Sequence, residues 1–557
     1  MKTIGLLLLA CSSLVAAQTA QFEAREATIA SVHAALFTRQ STCRDVVSAF
    51  IARVEAHNPD INAVIRLNPE CLNDADELDQ ALAAGNATGS LFCVPILLKD
   101  NYDAAGIPTT AGCKALNDSV PLTDAPSVAA LRGAGAIILG KANLHEFALE
   151  GLSLSTLGGQ TVNPYDFTRT PGGSSGGTGA AIAASFAVFG TGTDTVNSLR
   201  SPASANSLYS FRPTYGLISR AGVVPVSWVQ DTLGVIGRSL YDIAVALTVM
   251  SSIGYDPRDN TTARVPDSTR DIDYTTALTG SSTLRHTRIG VLRGFFNYTP
   301  SVENDPVNVL MASTIQKIIR AGAEVVYLND TKTYNATAIA AELDVQQLEY
   351  RELVSAYLSS SNLTGNHPRS LPDLYLSNRN ISNFVVIPSQ YNYVQNALRS
   401  STSNATYTAR LRGIANLTTT LHSAFSSLDL DAIIYPEQKN LVVPLGFPSQ
   451  SGRNGILAAL TGSPVMTIPI GFSNATESAP IGIPVGMEIL GMPWTELKLL
   501  SIARALDDRL HARRAPVTNG MNETAEVTTR YASVPTITPR GLSNINQLAY
   551  PLGTFGA

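Results

Sequence analysis

Pro171-Gly172-Gly173-Ser174-Ser175-Gly176-Gly177 leads through a small, apolar run, Ala180 to Phe189, into Gly192-Thr193-Asp194-Thr195-Val196-Asn197-Ser198-Leu199-Arg200. Two polar loops, each carrying serine, thus flank one hydrophobic stretch. Upstream, Val94-Pro95-Ile96-Leu97-Leu98-Lys99-Asp100 puts one lysine at the tip of a short apolar strand. A serine hydroxyl attacks an amide carbon only when a base takes its proton. No histidine lies near either loop in the sequence, so a lysine at the end of a buried strand is the candidate base. The three segments point to serine-based amide chemistry that works without histidine.

Working outward, the chain has 557 residues, 45% hydrophobic and 15% charged, enough apolar material for a large core and a length that would allow two or three domains. A net charge of -5 with no long run of one sign argues against a nucleic-acid partner, which needs a concentrated basic face. Lys2, the apolar run Ile4 to Ala10 and the small residues Val15-Ala16-Ala17 before Gln18 read as a secretory signal peptide, residues 1–17. The expected mature protein, 18–557, is then secreted and extracellular. No later segment is long and apolar enough to span a membrane.

Asn-x-Ser/Thr sequons at Asn86, Asn117, Asn260, Asn297, Asn329, Asn335, Asn362, Asn380, Asn404, Asn416, Asn474 and Asn522 agree with a glycoprotein. With Cys11 in the leader, Cys43, Cys71, Cys93 and Cys113 remain. An even number in an oxidising compartment implies two disulfides with three possible connectivities, four free thiols being the alternative. Cys43 opens a helix and Cys71 ends the strand expected to return from it, which favours Cys43–Cys71 and Cys93–Cys113.

Thr28 is placed to cap a helix carrying Ile29, Val32 and Leu36 on one face, and Thr42 a second with Val46, Val47, Phe50, Ile51 and Val54. Strands are expected at Ile61 to Leu67, Val94 to Lys99 and Ala136 to Gly140, with a helix at Asp124 to Gly133 between the last two. From Asp256 to about Phe425 the chain turns polar and rich in Ser, Asn and Tyr after a strand at Ile289 to Leu292, a helix at Val307 to Ala321 and a strand at Val325 to Leu328. Strands resume at Ala432 to Tyr435, Val465 to Ile468 and Val485 to Leu490, and Glu496 to Leu510 is a helix. Alternating helices and short apolar strands describe an α/β protein with a largely parallel or mixed sheet. No linker composition brackets the polar region, so it is expected to pack over the core and shape the substrate site.

Rival motifs fit less well. Gly173 to Gly177 matches the spacing of a nucleophile elbow, but no strand immediately precedes it. His145-Glu146 begins a zinc-protease pattern in which Leu149 occupies the place of the second histidine. The glycine loop lacks the Gly-Lys-Ser/Thr of a phosphate-binding loop. His33, His57, His286, His367, His422 and His511 are scattered. No metal or cofactor is implied.

The ordered set of segments resembles the amidase signature family of hydrolases. It comprises the Val94 to Asn101 stretch, Gly140-Lys141-Ala142-Asn143, Gly159-Gln160-Thr161, Asn163-Pro164, the glycine-serine loop, Ser198-Leu199-Arg200-Ser201-Pro202-Ala203, Gly482-Ile483-Pro484-Val485-Gly486 and Trp494-Thr495-Glu496. The resemblance covers roughly residues 28–255 and 425–510, leaving about 256–425 as a variable region. It implies a mixed sheet flanked by helices in one large domain. It further implies Ser198 as nucleophile, Ser174 as a bridging serine after a cis peptide, and Lys99 as base. Ser175, Asp194 and Arg200 would form a supporting polar shell, and the backbone N–H groups of Thr195, Val196, Asn197 and Ser198 an oxyanion hole.

The substrate implied is a small-molecule or peptide amide. Supply of ammonia within a tRNA amidotransferase, a role some relatives hold, conflicts with the expected leader. One departure stands out: Val196-Asn197 occupies the place of the family's usual Gly-Gly. Val196 is expected at ordinary negative φ, with Asn197 taking any strained conformation. An inactive, binding-only relative, blocked at this pair, is the alternative reading.

Overall fold

Thr28 and Thr42 cap the first two helices, α1 (Ile29–Phe37) and α2 (Cys43–Ile61), each hydroxyl accepting from the backbone N–H three residues on. They do so in a computed structural model that describes residues 22–280, 282–376, 387–521 and 531–550. The expected leader and the sequons at Asn380 and Asn522 lie outside the described residues. Helix α2 runs further than its apolar pattern implies. Asn62 closes it in the left-handed region, at φ 56°, and Asn58 Oδ1 accepts from the N–H groups of Ala63 and Val64 at 2.9 and 2.8 Å. Strand β1 (Val64–Leu67) therefore starts three residues later than Ile61.

Ten further strands join β1: β2 (Pro95–Lys99), β3 (Ile137–Ala142), β4 (Phe189–Asp194), β5 (Tyr209–Arg212), β6 (Thr232–Gly237), β7 (Arg288–Leu292), β8 (Glu324–Leu328), β9 (Ala432–Pro436), β10 (Val465–Phe472) and β11 (Pro484–Leu490). They form one 11-stranded sheet in the order β1-β3-β2-β4-β6-β5-β10-β11-β9-β7-β8. Pairing is parallel in β3-β2-β4 and in β9-β7-β8, and antiparallel elsewhere. The expected mixed α/β sheet flanked by helices is the architecture found.

Parallel pairing of β2 with β4 decides where chemistry can sit. Lys99 ends β2 and Asp194 ends β4, so both emerge at the same edge, the carboxyl end where open α/β sheets place their ligands. Both strands are buried throughout, as their apolar composition requires. The helix Gly176–Ala183, which follows the glycine-serine loop, packs just as closely. A Cβ on Gly177 would lie 2.1 Å from the carbonyl oxygen of Asn143, so the glycine loop is a site of tight backbone contact rather than a flexible linker.

The polar stretch 256–425 does two things. Its first half supplies β7 and β8, which extend the sheet beyond β9 through parallel pairing. Its second half is helical, with Ala336–Leu343, Gln346–Leu358, Pro388–Arg399 and Ala405–Ser427. Ile339, Ile414, Leu417, Leu421 and Phe425 there build an apolar cluster with Ile456 and Leu457.

The cysteines pair differently from expectation. Cys43 is joined to Cys93, with 5.7 Å between Cα atoms, while Cys71 and Cys113 are free and buried. Cys71 does not end a strand but opens helix α3 (Cys71–Ala83). The backbone N–H of Cys43 donates to Asp79 at 2.6 Å, eight residues further along α3. That separation is about 12 Å of helix, beyond the reach of a disulfide. Non-reducing digestion should recover Cys43 and Cys93 in one linked peptide pair, with Cys71 and Cys113 alkylated only after unfolding. The double variant Cys43→Ser with Cys93→Ser should lose about 2–4 kcal/mol of stability; a recovered Cys43–Cys71 link would overturn the pairing.

Candidate active site

Strand β2 delivers Lys99 into a fully buried space. Its Nζ lies 2.8 Å from Ser174 Oγ and 2.7 Å from Thr193 Oγ1, and Asn101 Nδ2 donates to the same threonine hydroxyl at 3.2 Å. Burial lowers the Lys99 pKa against the opposing pull of Asp194 and Asp231, leaving it at about 7. The neighbouring Lys141 is equally buried but has a carboxylate partner, Asp100 Oδ1, at 3.3 Å. Hydroxyls cannot balance an ammonium charge as a carboxylate does, so Lys99 is the amine prepared to be neutral.

Ser174 follows a cis peptide from Gly173. Its carbonyl accepts from the backbone N–H of His145 at 3.0 Å, which ties the loop to the segment after β3. The loop meets the Ser198 turn through the Ser175 N–H, which donates to the Ser198 carbonyl at 3.2 Å. Ser175 Oγ donates to the Thr193 carbonyl at 3.3 Å. Among the described residues no hydrogen bond joins the Ser198 hydroxyl to Ser174 or Lys99; Ser198 is 6% exposed and faces a cavity.

Asp194 is the hub of the buried shell. It accepts from the Leu199 N–H, from Arg200 Nε and Nη2, and from Arg212 Nη1, at 3.0 to 3.1 Å. Burial would raise its pKa, but the Arg200 and Arg212 guanidinium groups hold its carboxyl below the usual range. Arg200 also forms a fork with Glu488 on β11 at 3.0 and 2.9 Å.

The peptides from 194 to 198 are clamped by their carbonyls. The Asp194 carbonyl accepts from Arg212 Nη1, that of Thr195 from Gln230 Nε2 at 3.3 Å, and that of Val196 from Arg200 Nη2. The Asn197 carbonyl accepts from the N–H groups of Arg200 and Ser201 at 3.0 and 2.8 Å. A planar trans peptide points its N–H opposite its carbonyl. Each pinned oxygen therefore turns the N–H of Thr195, Val196, Asn197 or Ser198 away from its anchor, and among the described residues none of the four donates to a protein acceptor. Neither Val196 nor Asn197 has positive φ. Val196 is as expected, while Asn197 needs no strained conformation. The side chain of Val196 lines the cavity, and that of Asn197 is buried, donating to Glu437 Oε1 at 3.1 Å.

That cavity, about 370 Å3, is walled by residues 195–198, by Ala336 to Gln347 of the variable region, by Tyr393, and by Gln450, Gly452, Arg453 and Ile456. Its lining mixes polar and apolar surface in about equal measure and includes the Glu150–Arg453 ion pair at 3.0 Å. A smaller cavity of about 190 Å3 touches Thr193 and Thr195 from another side, between Val223 to Trp228 and Tyr357.

Sequence reasoning missed Thr193, Arg212, Gln230, Asp231, Glu437 and Glu488. Two of these carried a signal. Thr191 and Thr193 share a face of β4 by strand alternation, and both meet Lys99, Thr191 through the Lys99 backbone N–H at 3.2 Å. Glu488 is a lone charge inside the apolar run Val485 to Leu490, a pattern that demands a buried partner.

Known proteins resemble this chain over most of its length. The amidase family model matches residues 45–500. A glutamyl-tRNA(Gln) amidotransferase subunit of Nitratidesulfovibrio vulgaris (strain DP4) is 32% identical over 498 residues, 88% of this chain and 98% of that protein. Its counterpart from Acinetobacter baumannii (strain AYE) is 30% identical over 488 residues, 85% of this chain and 94% of its own length. The native peptide amidase of Stenotrophomonas maltophilia superposes with a TM-score of 0.77 at 32% identity, covering 89% of this chain and 99% of that one.

The lowered Lys99 pKa has a consequence for stability. Between about 7 and the unfolded lysine value of about 10.4, the unfolded chain holds a proton that the folded chain does not. Stability relative to Lys99→Met should therefore rise with pH across that window and be level below it. Urea unfolding of both proteins at a series of pH values measures this; equal slopes throughout would show that the buried amine stays charged.

Proposed function

The chain belongs to the amidase signature family, and we propose that it hydrolyses a carboxylic amide through an acyl-enzyme on Ser198, with Lys99 as base and Ser174 as the proton bridge. The observation that carries this reading is the fully buried contact of a neutral-leaning lysine with a serine hydroxyl, 2.8 Å long, at the sheet edge where Ser198 also emerges.

Neutral Lys99 takes the Ser174 proton while Ser174 takes that of Ser198, whose Oγ bonds to the amide carbon. The carbonyl oxygen becomes an oxyanion, and the N–H groups freed by the clamped carbonyls of 194–197 are placed to bind it. Collapse breaks the C–N bond as the proton returns through Ser174 to the leaving nitrogen, releasing ammonia or an amine. Water then attacks the ester by the same relay, giving the acid and free Ser198.

The Glu150–Arg453 ion pair in the cavity wall supports an amide with polar substituents, such as a peptide amide. Relatives named as amidotransferase subunits share the amide-cleaving fold, and free amide turnover without a partner separates hydrolysis from that role. We further place the protein outside the cell, as a glycoprotein. The features from Lys2 to Ala17 support this, as do the exposed sequon residues Asn86, Asn260, Asn404 and Asn416. Asn362 differs. Its Nδ2 is directed at Asp103 Oδ2, and its Oδ1 accepts from Thr123 at 3.1 Å from the N–H and 2.9 Å from the hydroxyl. Glycopeptide mass spectrometry should find Asn404 or Asn416 occupied and Asn362 bare; a glycan on Asn362, or none anywhere, would count against this placement.

On small amides and peptide amides, kcat/KM should rise with pH through about 7, as Lys99 becomes neutral. Ser198→Ala and Lys99→Ala should each lower kcat by about 10^3-fold or more while leaving the protein folded. A fluorophosphonate should label Ser198. A folded wild type that takes no label and turns over no amide would favour the binding-only alternative.

A further inference from the structure

Behind the clamped loop, the Asn197 side chain enters a space closed to water. Glu437, directly after β9, reaches it from the far side; both residues are completely buried. Glu437 is held at both ends of its backbone, its N–H donating to the Gly486 carbonyl and its carbonyl accepting from the Asn454 N–H, each at 3.1 Å. Gly455 seals the space: a Cβ there would lie 2.4 Å from Asn197 Cβ and 2.2 Å from the Val196 carbonyl oxygen.

The two side chains share one hydrogen bond, Asn197 Nδ2 to Glu437 Oε1. Two acceptors are left over, Asn197 Oδ1 and Glu437 Oε2, both buried and without a donor. An ionised carboxylate only accepts, so it can satisfy neither. One proton on Glu437 Oε2 supplies the missing donor. We propose that Glu437 is a positioning residue that keeps this proton, pairs with Asn197 as acid with amide through two reciprocal hydrogen bonds, and so fixes the loop whose N–H groups serve the reaction. The proposal rests on the hydrolase reading above, and it explains how a side chain is tolerated where the family usually has glycine.

The surrounding charges agree. Burial first, and then Glu488 on β11, push Glu437 above the carboxylate range, while Asn197, Arg200 and Arg453 act in the opposite sense. Both arginines are otherwise engaged, Arg200 by Glu488 and Asp194 and Arg453 by Glu150. Tyr435, on the strand that carries Glu437, has its own pKa raised and supplies no positive charge. As pH rises through the raised Glu437 pKa the proton leaves, Asn197 Oδ1 again lacks a donor, and the loop loses its support. Activity should therefore show an alkaline limb opposite the Lys99 limb.

The test compares pH profiles of kcat and KM for wild type, Glu437→Gln, Glu437→Leu and Asn197→Gly. Glutamine can make both hydrogen bonds without a titrating proton, so it should rescue the neutral-pH kcat and abolish the alkaline limb. Leucine should lower kcat by about tenfold to a hundredfold with KM within about twofold. Asn197→Gly should remove the limb by removing the partner, and it keeps the test open if the leucine variant fails to fold. Independently of activity, infrared difference spectra of wild type against Glu437→Gln should show a protonated-carboxyl stretch at neutral pH. An alkaline limb that persists in Glu437→Gln, an undiminished kcat in folded Glu437→Leu, or a carboxylate band in place of the acid band would overturn the proposal. If wild type turns over no amide, the hydrolase reading fails, and the infrared result still decides the pairing.

Discussion

One carboxylate, Asp194, bears on nearly everything at the site. Alone in a buried space it would be protonated; between Arg200 and Arg212 it stays charged and organises both. Through Arg200 it fixes the Val196 carbonyl and reaches Glu488, and through its own carbonyl it is held by Arg212. Removing one partner from such a buried pair costs about 3–5 kcal/mol, because the remaining charges are left without balance. The loop with Ser198 is thus tied into the ionic interior of the sheet.

The same charge also acts on Lys99. Desolvation drives the lysine towards neutrality, while Asp194 and Asp231 pull it back. Full burial without these acids would leave an amine too weakly basic to take a proton, while a direct carboxylate contact favours the charged form, as Asp100 does for Lys141 against the larger pull of burial. Lys99 falls between these limits because its direct partners are hydroxyls and the acids act from further away. Lys99 and Asp194 end the parallel strands β2 and β4, and Asp231 directly precedes β6, which pairs with β4; these positions set the separation.

Much of this was legible in the sequence. Thr28 and Thr42 announce their helices because capping is local, and Val94 to Lys99 announces its strand because both faces are apolar. The order of the glycine-serine loop, Ser198 and Arg200 carried the candidate site for the same reason, since each lies in a short contiguous motif. What stayed hidden depends on contacts between distant segments. The true partner of Cys43 follows from the packing of α2 along α3, and Glu437 matters only because β9 lies beside β11 and faces Asn197, 240 residues away. Strands β7 and β8 were recognised as strands, but their place at the sheet edge was not, since strand order leaves little local trace. The β-branched Val196 leaves any strain of the loop to Asn197 in the sequence reading, yet neither has positive φ, and the room for the Asn197 side chain comes from Gly455, 258 residues further on.

The link between Cys43 and Cys93 spans the connection from α3 to β2, where Ala84, Gly85, Asn86, Thr88, Gly89 and Ser90 are all exposed. That is the kind of surface loop that proteases cut first. A cut there would not release the N-terminal helices, because the segment carrying α2 stays covalently attached immediately before the strand that presents Lys99. In protease-rich surroundings the chain can be nicked and still remain one molecule, with its base in place.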